Sequence, residues 1–569
     1  MKKIRKMLAV ILSMVMIIAI MPTVVYAKTY TDGDLVFYYQ IVGDEAYITN
    51  GKENKGDVVI PSVIDGYTVT TISNQAFENC TAMTSLTLPD TIHTISTSAF
   101  QGCSGLAELV IPDNHISMAT RCFAYCTSLG SVTIGDGVQA LAPSMFKGCT
   151  ALTSVSIPST VNAIATGAFQ DCTSLEEISV PETVTIIRSD AFNGCTSLKK
   201  VYGAENVVTL GDTAFYNCIA FEGFEDGVAL ENIHLSAFRN CASLKKLNLS
   251  ATKPVTVYNY AFSGCSALTE VVVPENVILK EGEGLFMECT SLESVKLPST
   301  VTELPARFFE GCTSLKSFDI PEQITSLGES AFKGCIKLWT ITMGDDIISI
   351  GACAFSGCSS ITSVTIPAGV TILENEVFKD CASLDEIVLH DGITYFGDDI
   401  ITNTAYYNDD ANWEDGFLYI DNALICAKYS GASPVTINVK RGTEYIANGA
   451  FKYIPAIDTL NLPIELKGIG DKIIPTTSTV DSVVYQGTAY RWKNVKIGNG
   501  NINWVVTYNS VHGDVDGDYE LSSNDALVLR KFLASNADIE EIDYIAADLD
   551  CDGVITAKDQ LRLRRLLAE

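Results

Sequence analysis

Histidine is scarce in this sequence, and the motifs that mark zinc sites and hydrolase centres are missing. The 569 residues include only five scattered histidines, too few for the imidazole clusters of a zinc site or a catalytic triad. No Cys-x-x-Cys pair and no Gly-x-Ser-x-Gly nucleophile elbow occurs. These absences disfavour a zinc centre and a serine hydrolase. The histidines are His93, His115, His234, His390 and His512.

Basic residues are also in deficit. The chain has 38 Lys and Arg against 68 Asp and Glu, a formal net charge of -30. A phosphate backbone or an anionic membrane surface would be repelled by this charge, which argues against nucleic acid as a partner. The excess of carboxylates favours solubility and the binding of metal cations, although acidity is common in exported proteins without a specific role.

Long apolar runs are absent after the N-terminus. The chain opens with a basic segment and an apolar run, residues 2–6 and 7–21, and Val25-Tyr26-Ala27 then offers small residues where a signal peptidase reads them. The run is shorter than the ~20 residues that a membrane span needs. We therefore predict a signal peptide over residues 1–27, rather than a membrane anchor, and a mature chain that is secreted and has no membrane span.

A repeat of 23 residues fills most of the chain. Phenylalanine followed three residues later by cysteine occurs fourteen times, with two steps of 24 residues between Phe238 and Phe286. A fixed period of this length is the signature of a repeat architecture. The pairs begin at Phe77, Phe100, Phe123, Phe146, Phe169, Phe192, Phe215, Phe238, Phe262, Phe286, Phe309, Phe332, Phe355 and Phe378.

Each repeat predicts one coil of a solenoid. Val155-Ser156-Ile157 alternates as a short strand does, and Pro158 ends that strand because it cannot donate to a ladder. Val161, Ile164 and Phe169 then point inward on the return path. A single coil cannot bury its apolar face alone, so roughly sixteen coils are expected to stack with the inward Leu, Ile, Phe and Cys side chains in continuous ladders.

The repeat resembles the BspA-like, surface-antigen type of bacterial leucine-rich repeat. The resemblance is carried by units such as Cys172-Thr173-Ser174-Leu175 through Ala191-Phe192, and it spans residues 28–506. Residues 57–70 look like the first coil of such a domain, and residues 485–492 look like its closing turn. The family implies a β-strand-rich rod associated with adhesion to diverse surfaces, with a ligand that the motifs do not specify.

Fourteen of the eighteen cysteines fall on the repeat. A free thiol behaves as a small buried hydrophobe, which suits a position beside phenylalanine in every coil. Neighbouring cysteines would come within disulfide reach, but in-register stacking points their Cβ atoms in parallel, which fits the bridge torsion poorly. We therefore predict reduced, packing thiols. Four cysteines lie off the repeat and receive no role: Cys122, Cys353, Cys426 and Cys551.

The period lapses between Cys381 and Phe451. The segment from Asn403 to Tyr419 combines tyrosine and tryptophan with asparagine and aspartate. Rings and amides of this kind suit a glycan or protein ligand. The same rings also suit packing onto the rod, as in a spacer common in the BspA-like family, and the packing interpretation is favoured.

The C-terminal residues contain two copies of a calcium-loop pattern. The twelve-residue segments begin at Asp514 and Asp548, with carboxylates at positions one, three, five and twelve, the EF-hand spacing for a hard cation. Backbone carbonyls at position seven would add ligands, and each loop leads into an amphipathic helix. Two calcium ions are predicted on Asp514, Asp516, Asp518, Glu520 and Asp525, and on Asp548, Asp550, Asp552, Val554 and Asp559.

Two loop–helix units without a preceding helix resemble a type I dockerin over residues 511–569, after a short linker at 507–510. The resemblance implies a small all-α, EF-hand-like domain that binds a cohesin on a scaffoldin of a cellulosome-type complex. It also implies cohesin contacts at loop positions ten and eleven and at a basic helix position. Those residues are Ser523, Asn524 and Lys531 in one unit, and Ala557, Lys558 and Arg565 in the other.

The two units depart from the family in two respects. Their contact residues differ, which puts a symmetric two-way binding mode in doubt. Tyr519 stands where the sharp turn of the loop ordinarily takes glycine, so the first calcium site is expected to be the weaker one.

Taken together, these features predict a secreted, non-catalytic binding or adhesion protein tethered to a scaffold in a setting of polysaccharide degradation. The alternative is a polysaccharide-acting enzyme, such as a glycoside hydrolase, whose carboxylate pair lies unrecognised on the solenoid. A structural spacer or inhibitor is the third possibility. The repeat accounts for nearly all residues before the dockerin-like segment, which leaves little room for a catalytic domain.

Overall fold

The computed structural model divides into two compact units, Met1–Leu244 and Lys245–Glu569. Ala27 is the only residue of the predicted signal peptide that the structure describes. Among the described residues, no helix is both long and apolar enough to cross a bilayer. The structure describes residues 27–568 except for 226–229, 248, 250–252, 429–433, 476–479, 488, 502–503, 509–512, 517–519, 536–541, 543 and 550–553.

The first unit is built from short strands, since each coil must turn back on itself within one repeat. All except β2 span two to six residues. The strands are β1 (Lys28–Asp32), β2 (Leu35–Val42), β3 (Glu45–Asn50), β4 (Gly56–Val59), β5 (Val63–Ile64), β6 (Tyr67–Ile72), β7 (Met83–Thr87), β8 (Thr94–Ile95), β9 (Glu108–Ile111), β10 (Ser117–Met118), β11 (Ser131–Ile134), β12 (Ser154–Ser156), β13 (Ala163–Ile164), β14 (Glu177–Ser179), β15 (Ile186–Ile187), β16 (Lys200–Tyr202), β17 (Thr209–Leu210), β18 (Gly223–Phe224) and β19 (Asn232–Ile233).

The second unit continues with similar strands and, among its described residues, adds five short helices. Its strands are β20 (Val255–Val257), β21 (Glu270–Val272), β22 (Val277–Leu279), β23 (Ser294–Lys296), β24 (Glu303–Leu304), β25 (Ser317–Asp319), β26 (Ser326–Leu327), β27 (Thr340–Thr342), β28 (Ser349–Ile350), β29 (Ser363–Thr365), β30 (Ile372–Leu373), β31 (Glu386–Val388), β32 (Tyr395–Phe396), β33 (Trp413–Glu414), β34 (Phe417–Ile420), β35 (Ala423–Ala427), β36 (Val435–Asn438), β37 (Tyr445–Ile446), β38 (Ile457–Leu462), β39 (Gly468–Ile469), β40 (Val480–Tyr485), β41 (Lys496–Ile497) and β42 (Val506–Tyr508). The helices are α1 (Ala405–Asn408), α2 (Ala489–Trp492), α3 (Ser523–Ser535), α4 (Tyr544–Ala547) and α5 (Ala557–Leu566), and a 3-10 turn spans Asp410–Asn412.

Strand register follows the sequence repeat, which confirms the predicted solenoid. On one side of the coils, Ile164 pairs in parallel with Ile187, which is 23 residues later. On the other side, Ile178 pairs with Val201 at the same spacing. The described part of the chain forms about 19 coils rather than roughly sixteen, because coils near both ends keep the stacking without the Phe and Cys pair. In one of them, Ile454 follows Phe451 at the cysteine position.

The repeated phenylalanines form the predicted ladder inside each unit. In the first unit, the rings of Phe77 and Phe100 stack with their centroids 5.0 Å apart, and the series continues to Phe238. In the second unit, Phe332 and Phe355 stack at 5.4 Å. These rings are at most 4 % exposed, so the ladder is core in both units.

The repeated cysteines are buried free thiols, as predicted, and they also make a hydrogen bond. The Cys195 thiol donates to the carbonyl oxygen of Phe169 in the preceding coil at 3.0 Å, and Cys358 donates to Phe332 at 3.1 Å. The carbonyl oxygen of each of these phenylalanines already accepts the amide of the cysteine three residues later, so the thiol adds a second hydrogen bond to it, one that links neighbouring coils. Every cysteine in the described part of the chain is a free thiol, including the off-repeat Cys122, Cys353 and Cys426; Cys551 lies outside the described residues.

The segment that breaks the repeat folds into α1, the 3-10 turn and the antiparallel strands β33–β34–β35. Thr404 caps α1, accepting a hydrogen bond from the Tyr407 amide at 3.0 Å. Trp413 Nε1 donates to the Tyr407 carbonyl at 2.8 Å, and the Lys428 ammonium lies 4.0 Å from both ring centroids. Tyr407 is buried. The structure therefore favours the packing interpretation for these rings over ligand contact.

The C-terminal helices form a small core of their own. Leu529 of α3 and Leu563 of α5 are fully buried, and Val515 and Ile542 pack with them. Phe532, Leu533 and Leu566 line the same cluster, which confirms the predicted amphipathic faces of both helices. The last solenoid strand, β42, runs two residues into the predicted 507–510 linker.

Candidate functional site

Three carboxylates of the first loop converge at the start of the C-terminal module. Ligand oxygens of Asp514, Asp516 and Asp525 all lie within 4.8 Å of one another. Asp514 is 2 % exposed and Asp525 is fully buried. Carboxylates held this close, largely out of water, repel one another unless a cation lies between them. The donor set is the all-oxygen kind that calcium takes, so these residues fit a calcium ion.

Asp525 also closes the first loop. Its Oδ1 accepts hydrogen bonds from the amides of Val515 and Asp516, at 2.7 and 3.2 Å, and its Oδ2 accepts from the Ser522 amide at 2.7 Å. Position twelve thus joins both ends of the loop to the N-terminus of α3, where the helix dipole favours a negative charge.

The second loop is built in the same way where the structure describes it. Asp559 is fully buried and its Oδ2 accepts from the Thr556 amide at 2.8 Å, forming a capping box at the start of α5. Asp548 is half-buried at the other end of the loop, and Val554 is exposed. Asp518, Asp550 and Asp552 lie outside the described residues, and so does Tyr519.

The approach of the first loop to α5 depends on a glycine. Gly513 has a φ of +94°, and a Cβ at this position would come within 2.9 Å of Leu521 Cδ1 and 3.0 Å of Leu566 Cδ2. Its amide donates to the Ala546 carbonyl at 3.0 Å. No larger residue fits without moving the two leucines, so Gly513 fixes where Asp514 enters the carboxylate cluster.

All six residues predicted to contact a cohesin are exposed. Ser523 and Asn524 lie at the start of α3, and Lys531 lies two turns further on. Ala557, Lys558 and Arg565 occupy equivalent positions on α5. Asn524 also donates from its side-chain amide to Asp516 Oδ2, which ties one predicted contact residue to the carboxylate cluster.

One contact of this module escaped the sequence reasoning. Arg491 in α2, the last helix of the solenoid region, donates from Nη2 to the carbonyl oxygen of Asp516 at 2.8 Å. The bond joins residues 25 positions apart across the predicted linker. No sequence motif identifies Arg491 as a contact of the loop. Its position within the predicted closing turn is the one feature that could have suggested such a contact.

Parallel strands stacked at a 23-residue repeat, followed by carboxylate loops and two packed helices, define a leucine-rich-repeat solenoid protein with a calcium-type docking module. A family model described as BspA type Leucine rich repeat region matches residues 58–176, 162–282 and 280–408. The chain belongs to that family. A model described as Dockerin type I domain matches residues 512–568, which confirms the resemblance at the C-terminus.

Solved structures of bacterial leucine-rich-repeat proteins resemble this fold. A leucine-rich repeat protein from Bacteroides ovatus is 24 % identical, with a TM-score of 0.45, covering 60 % of this chain and 95 % of its own. A leucine rich cell surface protein from Faecalibacterium prausnitzii is 25 % identical, with a TM-score of 0.39, covering 64 % and 94 %. No curated protein matches the chain.

Both families are non-catalytic, and their members are typically extracellular. Type I dockerins bind calcium and take a cohesin as partner in cellulosome-type complexes. The Asp514, Asp516 and Asp525 cluster lies in the dockerin region. The repeat region consists of leucine-rich repeats, which are typical of binding proteins.

Proposed function

We propose that this protein is a secreted, non-catalytic adhesion protein that its dockerin tethers to a scaffold through two calcium ions. The observation that carries the proposal is the convergence of Asp514, Asp516 and Asp525 at the start of α3, within the residues that match a dockerin. The predicted signal peptide at residues 1–27 supports secretion. The long solenoid supports adhesion, because stacked coils present an extended surface.

Calcium would act by holding the loops in one conformation. With the ion bound, the carboxylates no longer repel, and α3 and α5 keep the orientation that presents their exposed residues. The proposed ligands are Asp514, Asp516, Asp518, the Glu520 carbonyl and Asp525 in the first loop, and Asp548, Asp550, Asp552, the Val554 carbonyl and Asp559 in the second. The module is then competent to dock only when loaded.

The proposed cohesin surface lies along the exposed sides of the two helices. Lys531 and Arg565 are exposed cations near the end of each helix, and Ser523, Asn524, Ala557 and Lys558 lie near its start. Because the two sets differ in size and charge, the units are expected to contribute unequally to one docking mode.

Capture of the full chain on immobilised type I cohesins tests this proposal. Binding is expected with calcium and lost in chelator, and a Lys531→Ala, Arg565→Ala double variant is expected to bind about tenfold more weakly. Arg530→Ala, Arg564→Ala is the matched control, because each replaced arginine is an exposed neighbour one residue earlier in its helix. Capture that survives chelator would refute the calcium-dependent tether.

An assay for turnover distinguishes the enzymatic alternative. The purified chain is incubated with plant polysaccharides, and reducing ends are counted. Release of sugars above that of a heat-inactivated sample would replace the adhesion proposal with a catalytic one.

A further inference from the structure

We infer that a cleft between coils of the second unit binds a neutral oligosaccharide. The cleft has a volume of about 370 Å³ and opens to solvent beside strands β30, β32, β37, β39 and β41. Its wall includes Ile372, Glu374, Tyr395, Tyr445, Gly468 and Lys496. The inference rests on the proposed binding role of the solenoid, and it adds the place and the class of ligand.

The cleft exists because the segment from Asn403 to Lys428 interrupts the stacking. Strand β35 of this segment pairs with β37, so that Ala423 lies opposite Tyr445. Strand β32 instead pairs with β30 in a separate two-stranded sheet. The two sheets still meet at Asn448, whose backbone amide donates to the Phe396 carbonyl at 2.9 Å. Strands β32 and β37 are thus not paired at the surface, but they are connected below it through Asn448. The gap between them is the cleft.

The outward side chains change character at this break. In the preceding coils, the outward position of the equivalent strands is Ser326 and then Ser349. In the coils that line the cleft, this position holds the exposed Ile372, the half-buried Tyr395 and then the buried Tyr445, so hydroxymethyl groups give way to apolar and aromatic side chains. Ile372 is 43 % exposed and Ile497 is 42 % exposed, so both present apolar surface to the cleft.

Gly468 determines how the Tyr445 ring lies. A Cβ on Gly468 would come within 3.0 Å of Tyr445 Cδ1 and 3.4 Å of Cε1, so the ring covers the space that a side chain would fill. Tyr395 is fixed as well, because its hydroxyl accepts a hydrogen bond from Asn448 Nδ2 at 2.6 Å. Tyr445 is 8 % exposed and forms part of the floor, whereas the Tyr395 ring is half-buried and, being held in place before binding, loses little freedom when a ligand packs on it.

A neutral sugar fits this combination of groups. A pyranose has an apolar face of C–H groups, which packs on aromatic and aliphatic side chains, and a rim of hydroxyls. Glu374, Lys496 and the Thr394 hydroxyl lie on the wall as acceptor and donors for such hydroxyls. One carboxylate and one ammonium leave the cleft without net charge, and the chain's charge of -30 disfavours an anionic ligand.

A peptide fits less well. A peptide strand would add to an open sheet edge, but β37 already pairs with β35 and β39. The edge strands β32 and β41 are only two residues long, and the Phe396 carbonyl of β32 already accepts the Asn448 amide. An amphipathic helix needs a groove that accepts several apolar anchors along its length, whereas this cleft has the volume of a few sugar rings.

Calorimetric titration of the full chain, in calcium, tests the inference. The probes are hexasaccharides of glucose, mannose and xylose, with hexagalacturonate as the anionic comparison. At least one neutral probe is expected to bind. Ile372→Ala and Tyr395→Ala are each expected to weaken that binding about tenfold, because each removes apolar surface from the wall. Ile348→Ala is the matched control, since Ile348 is an exposed isoleucine of the preceding coil that does not line the cleft.

The outcomes separate this inference from the proposed function. Ile372 is exposed, so its variant keeps the fold, and circular dichroism verifies this for both variants. Absence of binding by every neutral probe, preference for hexagalacturonate, or unchanged binding in both variants would overturn the inference. Cohesin capture is measured in parallel and is expected to be unaffected. Loss of capture with intact sugar binding would instead refute the tether.

Discussion

The guanidinium of Arg491 donates to the backbone carbonyl oxygen of Asp516, with 2.8 Å between Nη2 and the oxygen. Asp516 is also one of the three clustered carboxylates. The last helix of the solenoid region therefore holds the backbone of the first calcium loop, and the two parts of this unit are connected by more than the chain between them.

Replacing this arginine is expected to destabilise the docking module. A hydrogen bond from a charged donor to a half-buried carbonyl contributes about 1–2 kcal/mol, so Arg491→Ala should lower the free energy of unfolding of the calcium-loaded module by about that amount. Denaturant unfolding followed by the near-ultraviolet signal measures it. Lys493→Ala is the control, since Lys493 is exposed one residue after α2. Equal stability of both variants would show that the contact contributes nothing.

Asp525 is expected to be indispensable to the first calcium site. Asp525→Asn removes one of the clustered charges and disturbs the acceptor of three backbone amides, so the first loop should lose calcium affinity by at least about 100-fold. Calorimetric titration should then count one ion instead of two. Asp559→Asn is the counterpart in the second loop, and it should abolish the other site. Two intact sites in the Asp525 variant would contradict the ligand assignment.

The two calcium sites are expected to differ in affinity. Tyr519 occupies the loop position that ordinarily takes glycine, whereas the second loop has Gly553 there. Tyr519→Gly should therefore tighten the weaker site and bring the two affinities together. A titration that resolves two equal sites in the unaltered chain would show that this expectation is wrong.

The repeated part of the fold could be predicted from sequence because it is periodic. Phe169 and Cys172 recur at the same spacing as Phe192 and Cys195, so one coil predicts the next, and burial follows from stacking. The calcium loops could be predicted because twelve consecutive residues carry most of the ligands, as from Asp514 to Asp525.

The contacts that could not be predicted join residues that the 23-residue repeat does not relate. The hydrogen bond from Arg491 to Asp516 crosses the linker. Its acceptor is a backbone oxygen, which every residue has, so the side chains do not identify it. The cleft arises because β35 rather than β32 pairs with β37, a choice that the sequence of neither strand specifies. The hydrogen bond of each thiol was also missed, since a cysteine beside phenylalanine reads equally well as plain apolar filling.

Buried cysteines are expected to make the stability of the solenoid sensitive to alkaline pH. Burial raises the pKa of the Cys289 thiol from its ordinary value of 9.0 to about 12, although the Cys265 backbone partly offsets this. The folded state keeps the proton that the unfolded chain loses, so this contribution is complete below pH 9 and is lost as the pH rises from 9 towards 12.

The free energy of unfolding should therefore fall between pH 8 and pH 10, and Cys289→Ala should reduce the fall by about 1 kcal/mol. Denaturant midpoints at the two pH values measure this. Ile454→Ala is the control, because isoleucine occupies the cysteine position of its coil and carries no titratable proton. A fall that is the same in both variants would mean that the thiols do not govern the pH dependence.

Lys452 is expected to hold the coils together where the inserted segment interrupts them. Its ammonium contacts Asp398 Oδ1 at 2.7 Å and Asp399 Oδ1 at 2.5 Å, and only 22 % of its side chain is exposed. Burial opposes the charge of Lys452, but hydrogen bonds to the two carboxylates outweigh it and raise the pKa of this lysine.

Lys452→Met removes the cation that Asp398 and Asp399 share, and it leaves Asp399, only 19 % exposed, with the Lys379 ammonium 3.9 Å away. We expect the free energy of unfolding to fall by about 1–3 kcal/mol, since removing one partner from a half-buried pair costs more than the pair itself contributes. Lys316→Met is the matched control, because Lys316 pairs with Glu293 on the open surface and should leave the unfolding midpoint unchanged. A Lys452 variant as stable as this control would mean that the contacts of Lys452 with Asp398 and Asp399 contribute nothing to stability.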